Sequence, residues 1–275
     1  MTTGTAQATL LAAELAGAEE RGELELHFQP EVDLLGGEVT GMEALLRWAH
    51  PGRGLLWPRD FLAVARTAGL LPGLGRWVLT RCAGELATWP AGSRLSFNVA
   101  AAELADPDYP LHLASVVAAN GLPDGALCVD VTETALVTAG HHARALCTAL
   151  QEAGVRVAVD DVGAVASVAG RMEGLPVDVV KLGGPLVRDI DTDPHRRADV
   201  AAMVRGAARE DRQVVAEAVQ TWGEAACLVD LGVLRGQGYL FSPPQRADRA
   251  RWLLARGLTR ATAPSGWGGR RARPT

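Results

Sequence analysis

The sequence predicts an α/β fold, a TIM-like (β/α)8 barrel with an antiparallel first strand pair. Three observations predict it: eight short apolar runs of strand length, helical segments between nearly all of them, and a length of 275 residues, which suits one barrel of roughly 250. Apolar runs of this kind fit a parallel sheet buried on both faces.

Residues 8–21 (ATLLAAELAGAEER) place apolar side chains at helical spacing and form a lead-in helix. LELHF (24–28) alternates apolar and polar. After the Gly-Gly turn at 36–37 comes VTGMEALLRW (39–48), so the first two strands make a hairpin. PRDFLAVARTAGL and LGRWVLTRCAGELATW are helical, LSFNV (95–99) is a strand, and YPLHLASVVAANG is a helix stopped by Asn120-Gly121. LCVDV (127–131), VRVAV (155–159), DVVKL (178–182), QVVAE (213–217) and GQGYLF (236–241) complete the strands. Between them lie helices at HARALCTALQEAG, around 165–174, at ADVAAMVRGAARE and at TWGEAACLVDLG, with a closing helix near 246–257. The expected organisation is a lead-in helix (1–21), a barrel domain (22–257) and a flexible C-terminal tail (258–275).

Composition narrows the function. With 27 basic and 32 acidic residues, a net charge of −5, the chain is no general binder of duplex nucleic acid. Four cysteines form no CxxC pair that would close a zinc site, and they read as reduced cytosolic thiols. There is no basic leader and no stretch of roughly 18 continuous apolar residues, so the expectation is a soluble, cytoplasmic chain without a membrane span. Of the 27 basic residues only one, Lys181, is lysine. A compact ammonium offers chemistry that a guanidinium cannot replace.

Functional groups of such barrels gather where the strands end. Glu43, Asn98, Asp130, Asp160 with Asp161, Lys181, Glu217 and Gln237 bring a carboxylate, amide or amine to a related height in seven of the eight predicted strands. Clustered carboxylates in a low-dielectric mouth need cations, and an all-oxygen donor set without cysteine or suitably placed histidine favours Mg²⁺ or Mn²⁺. Two such ions roughly 3.5–4 Å apart support in-line displacement at phosphorus, which points to phosphodiester hydrolysis. Lys181 would hold the attacking water or steady charge on the phosphate.

At these residues the sequence resembles the EAL domain family, which hydrolyses cyclic di-GMP to linear pGpG. The family's signature stands here as GMEALLRWAHP, accompanied in order by FQPEVD, SFNVA, DVTET, VAVDDVG, LPVDVVKL, VVAEAVQT and GQGYLFSPP over about residues 8–257. The resemblance implies metal ligands at Glu43, Asn98, Asp130, Asp160, Asp161 and Glu217, with Lys181, Glu217 and Asp160 as the catalytic set. It implies substrate-holding roles for Gln29, Arg47 and Gln237, and a loop-stabilising role for Glu133. Its implied partner is cyclic di-GMP, and a homodimer and a protein partner both stay open.

Four features differ from the family's usual form. Asp130 stands for a glutamate, DDVGAVASVA (160–169) for DDFGTGYSSL, Gly183 for an aspartate, and Gln220 for a second glutamate. They open an alternative: an inactive EAL module acting as a cyclic di-GMP receptor or a protein-interaction domain.

Overall fold

A hairpin, six parallel strands and the helices between them build the molecule; the computed structural model describes residues 2–162 and 174–258. Strands β1 (Leu24–Asp33) and β2 (Val39–His50) pair antiparallel, with Gln29 opposite Glu43. The short β3 (Gly54–Leu56) folds back on the end of β2. Then come β4 (Leu95–Asn98), β5 (Leu127–Thr132), β6 (Arg156–Val162), β7 (Val179–Leu182), β8 (Gln213–Ala216) and β9 (Arg235–Gly236), the last five each parallel to its predecessor. β4 joins β2 in parallel, and β9 meets β1 antiparallel. Eight strands thereby close into a barrel, and β3 lies outside the ring.

The alternation within each strand sorts the two faces. Val129 and Val131 of β5, Val157 and Val159 of β6, and Val180 and Leu182 of β7 are buried in the main core with the surrounding helices. Their neighbours Cys128, Ala158, Val179 and Val215 form a separate cluster of mostly small side chains inside the ring. A small-residue lining leaves the barrel axis open to polar side chains at its two ends.

The helices α1 (Thr2–Ala16), α2 (Pro58–Thr67), α3 (Leu71–Leu86), α4 (Ala101–Leu104) and α5 (Tyr109–Ala119) cover the first half. The second half carries α6 (Glu133–Ala139), α7 (Ala143–Glu152), α8 (Gly184–Val187), α9 (Pro194–Arg209), α10 (Trp222–Asp230) and α11 (Ala247–Arg256). Local chemistry fixes their starts. Asp193 accepts from the His195 and Arg196 amides ahead of α9, while Thr221 and Glu224 cap α10 reciprocally, at 3.1 and 2.9 Å. Leu11 and Leu15 of α1 pack with Trp48, Phe61 and Ala65 in a second apolar cluster beside the hairpin. No described helix is long and apolar enough to cross a membrane.

The structure corrects the sequence reading at the last strand and at four short elements. The last strand is only Arg235–Gly236; residues 237–241 turn instead, because the Gly238 backbone lies so close to Val219 that no β-carbon fits there. The Gln237 carbonyl accepts from Val219 N at 3.0 Å, and Leu240 N donates to Val219 O at 3.1 Å. Strand β3 and the short helices α4, α6 and α8 were not foreseen; Thr132 accepts from Ala135 N and starts α6 directly after β5. The helix expected around 165–174 falls almost wholly outside the described residues, as do residues 163–169 of the altered loop and the tail beyond Leu258.

Candidate active site

Strand register assembles the mouth. β5, β6 and β7 point Asp130, Asp160 and Lys181 inward from alternating positions, and Asn98 and Glu217 sit where β4 and β8 end. Glu43 enters from the middle of β2, held level by pairing with Ser96 of β4 and Gln29 of β1.

Lys181 is the hub. The residue is only 2% exposed, and its ammonium donates to Asp130 Oδ2 at 2.7 Å. It lies 3.3 Å from Glu217 Oε1 and 3.9 Å from Glu43 Oε2. Amides complete the network: Asn98 Nδ2 donates to Glu43 Oε1 at 2.9 Å, and Gln237 Nε2 to Glu43 Oε2 at 2.5 Å and Glu217 Oε1 at 3.2 Å. The structure thus links Glu43, Asn98, Asp130, Lys181, Glu217 and Gln237 by direct contacts. Asp160 stands close enough to Lys181 and Glu43 to feel their charge.

Electrostatics follow from one ammonium among several acids. Burial pushes the Asp130 carboxyl up to about 7 against the pull of Lys181. Burial likewise raises Asp160 and, well above the usual range, Glu217. Desolvation works to lower the Lys181 pKa, but Asp130, Glu43 and Glu217 outweigh it and hold the lysine charged. The mouth is short of positive charge.

Its donors fit a hard divalent cation by type. The side chains offer oxygen without sulfur or imidazole, and Asp130 Oδ1 is buried with no hydrogen-bond partner among the described residues. No three Asp, Glu, His or Cys side chains among those residues stand ready-grouped around one point. Lys181 and the two amides occupy the carboxylate lone pairs.

Asp161 is turned outward, with φ at 56° and its N–H donated to Asp160 Oδ1 at 2.8 Å. Gly183 lies beneath it: a β-carbon there would come within 2.7 Å of Asp161 Oδ1. Glu133 opens α6, and the loop it is expected to steady falls mostly outside the described residues. His50 is a structural residue, 3.1 Å from Glu14 Oε2 and accepting from Gly52 N at 3.0 Å.

Above the mouth lies a groove of about 330 Å³ lined by Gln29, Glu43, Glu217, Gln220, Gln237 and Tyr239. Gln29 donates to the Ser242 carbonyl at 3.2 Å. Arg47 is almost fully buried, donates to the Leu46 carbonyl at 2.8 Å, and stacks with its Cζ 4.1 Å from the Trp57 ring centre. Trp57 and Tyr239 were missed as site residues. An aromatic one residue before the Pro58 that opens α2 was the available signal for the first.

A protein-family model described as EAL domain matches residues 12–244. Among curated proteins the chain is 33% identical over 250 residues to the cyclic di-GMP phosphodiesterase PdeR of Escherichia coli, covering 90% of this chain and 38% of that one. The chain spans 31–39% of the length of the first curated relatives it matches. Among solved structures, the PaMucR phosphodiesterase in complex with cyclic di-GMP superposes with a TM-score of 0.81 at 28% identity, over 88% of this chain and 99% of that one. The EAL domain of Mycobacterium smegmatis DcpA gives 0.72 at 32% identity, over 86% and 98%.

Proposed function

This chain belongs to the EAL domain family, and from that premise we propose that it is a metal-dependent phosphodiesterase that opens cyclic di-GMP to linear pGpG. The observation that carries the reading is a buried lysine at the centre of converging carboxylates and amides, directly under a groove large enough for part of a dinucleotide.

Glu43, Asn98, Asp160 and Glu217 would hold divalent cations, Mg²⁺ or Mn²⁺, with Asp130 and Asp161 at the edges of the set. When bound, such ions acidify a water and screen charge on the phosphodiester. The chain's own groups do the rest. Gln29, Arg47 and Gln237 hold the substrate, with Trp57 fixing the Arg47 guanidinium in one plane. Lys181 presents a permanent charge to the attacking water or the phosphoryl oxygens. One water adds at phosphorus as one P–O bond breaks, leaving the linear dinucleotide. We place the protein in the cytoplasm, where its four buried free thiols stay reduced.

The test is incubation of the purified protein with cyclic di-GMP and Mg²⁺ or Mn²⁺, following pGpG chromatographically with Lys181→Ala as control. Turnover above that control is expected; none would remove the hydrolase reading. One observation favours the non-hydrolysing alternative. The shorter Asp130 carboxylate is committed to Lys181 at 2.7 Å, which withdraws both groups from a metal or water. Calorimetric binding of cyclic di-GMP without turnover would establish the receptor, and binding of neither nucleotide nor product would leave a protein-interaction module.

A further inference from the structure

The opposite end of the barrel holds a second polar cluster. Arg156, Gln213 and Arg235 are the first residues of β6, β8 and β9, and Arg94 immediately precedes β4. Pairing of Cys128 with Arg156, Val179 with Gln213 and Val215 with Arg235 brings these starts together. All four line one partly open cavity of about 30 Å³, with Asp130 and Lys181 deeper on its wall and Arg94 at its exposed rim, where a tetrahedral anion has room.

The charges there do not balance. Two acids line the cavity and both are engaged: Arg235 Nη1 and Thr40 Oγ1 each donate to Glu31 Oε1 at 3.1 Å, and Asp130, deeper in, is paired with Lys181 at 2.7 Å. Arg156 Nη2 reaches Gln213 Oε1 at 3.3 Å, yet with the amide turned the same oxygen accepts from Arg235 instead. One acceptor therefore faces two guanidiniums. The Arg94 guanidinium has no hydrogen bond or ion pair among the described residues. Burial, then the charges of Arg156 and Arg235, lower its pKa, which marks the three as mutual neighbours.

We propose that this end of the barrel is an anion site, in which Arg94 and Arg156 grip a small phosphate-class oxyanion. Two positive charges without carboxylate partners match a dianion, and planar guanidinium forks meet tetrahedral oxyanions through paired hydrogen bonds. Gln213, with its oxygen given to Arg235, keeps its NH₂ as a neutral donor to the same ligand. The site lies at the far end of the barrel from the groove over the mouth and does not depend on the hydrolase reading.

Calorimetric titration of the full chain with inorganic phosphate, at ionic strength held constant with chloride, tests it. One phosphate is expected to bind and to raise the melting temperature above that in chloride alone. Arg94→Ala, at an exposed position, should weaken the affinity by about tenfold or more. Gln213→Glu supplies the missing carboxylate within the chain. It should raise the melting temperature without phosphate and abolish the phosphate response. The proposal is overturned if phosphate stabilises no more than chloride at equal ionic strength. It is equally overturned if both variants respond to phosphate as the parent chain does.

Discussion

The two ends of this barrel are built by the same strands and carry opposite charge. Along their inward faces the strands run Arg94-Ser96-Asn98, Arg156-Ala158-Asp160 and Gln213-Val215-Glu217, each passing from a basic or amide residue through a small one to an acid or amide. At the mouth Glu43, Asp130, Asp160 and Glu217 share one lysine; at the other end three arginines share Glu31. Small side chains line the axis between the two ends. The proposed cations above and anions below would supply each end with its counter-charge.

The largest expected effect comes from removing the hub. Lys181→Ala strands Asp130 in the interior and should cost about 3–5 kcal/mol in urea denaturation. Turnover of cyclic di-GMP should fall about a hundredfold or more. A variant with parental stability and rate would mean the mouth is already balanced without its lysine.

Glu103 tests the same physics where no lysine helps. It caps Ala100 N at 2.9 Å from α4, while its other oxygen is buried with no partner among the described residues. Burial pushes its carboxyl up to about 7 from an ordinary 4.5. The folded chain therefore keeps a proton that the unfolded chain releases. Stability should fall as pH rises from 4.5 to 7 and level off above, by on the order of 3 kcal/mol. Glu103→Gln should erase that slope and gain stability at pH 8; identical pH profiles for the two proteins would refute the assignment.

Asp130→Glu lengthens the carboxylate toward the mouth. Mn²⁺ affinity by calorimetry should tighten by about tenfold, and an unchanged value would mean that the shorter side chain is already accommodated. The smallest effect belongs to Ala218, beside Glu217, which holds a left-handed φ of 53°. Ala218→Gly should stabilise by about 0.5–1 kcal/mol in the same denaturation assay, and a loss would show that the methyl group packs usefully.

The mouth was legible because its residues interrupt apolar runs: Asp130 inside LCVDV and Lys181 inside DVVKL stand out from their neighbours. GQGYLF misled because its composition suits a strand, whereas contact between Gly238 and the Val219 backbone decides its path. No local pattern records a contact between segments. The arginine end went unread for a different reason. Arg94, Arg156 and Arg235 sit at the edges of apolar runs, where a charged residue looks like a solvated strand start. Counting back four residues from Asn98 and Asp160, two strand periods, would have put Arg94 and Arg156 on the inward face.

Gly183 carries a consequence for how this chain can change. Any side chain introduced there would first meet the Asp161 carboxylate and sweep it aside. The crowded atom is the tip of an exposed side chain and the Asp161 backbone stands clear at 3.6 Å, so a turn of that side chain makes room for a single substitution at 183. Whether a charge at 183 can be housed is thus settled by the direction in which the 161 side chain swings.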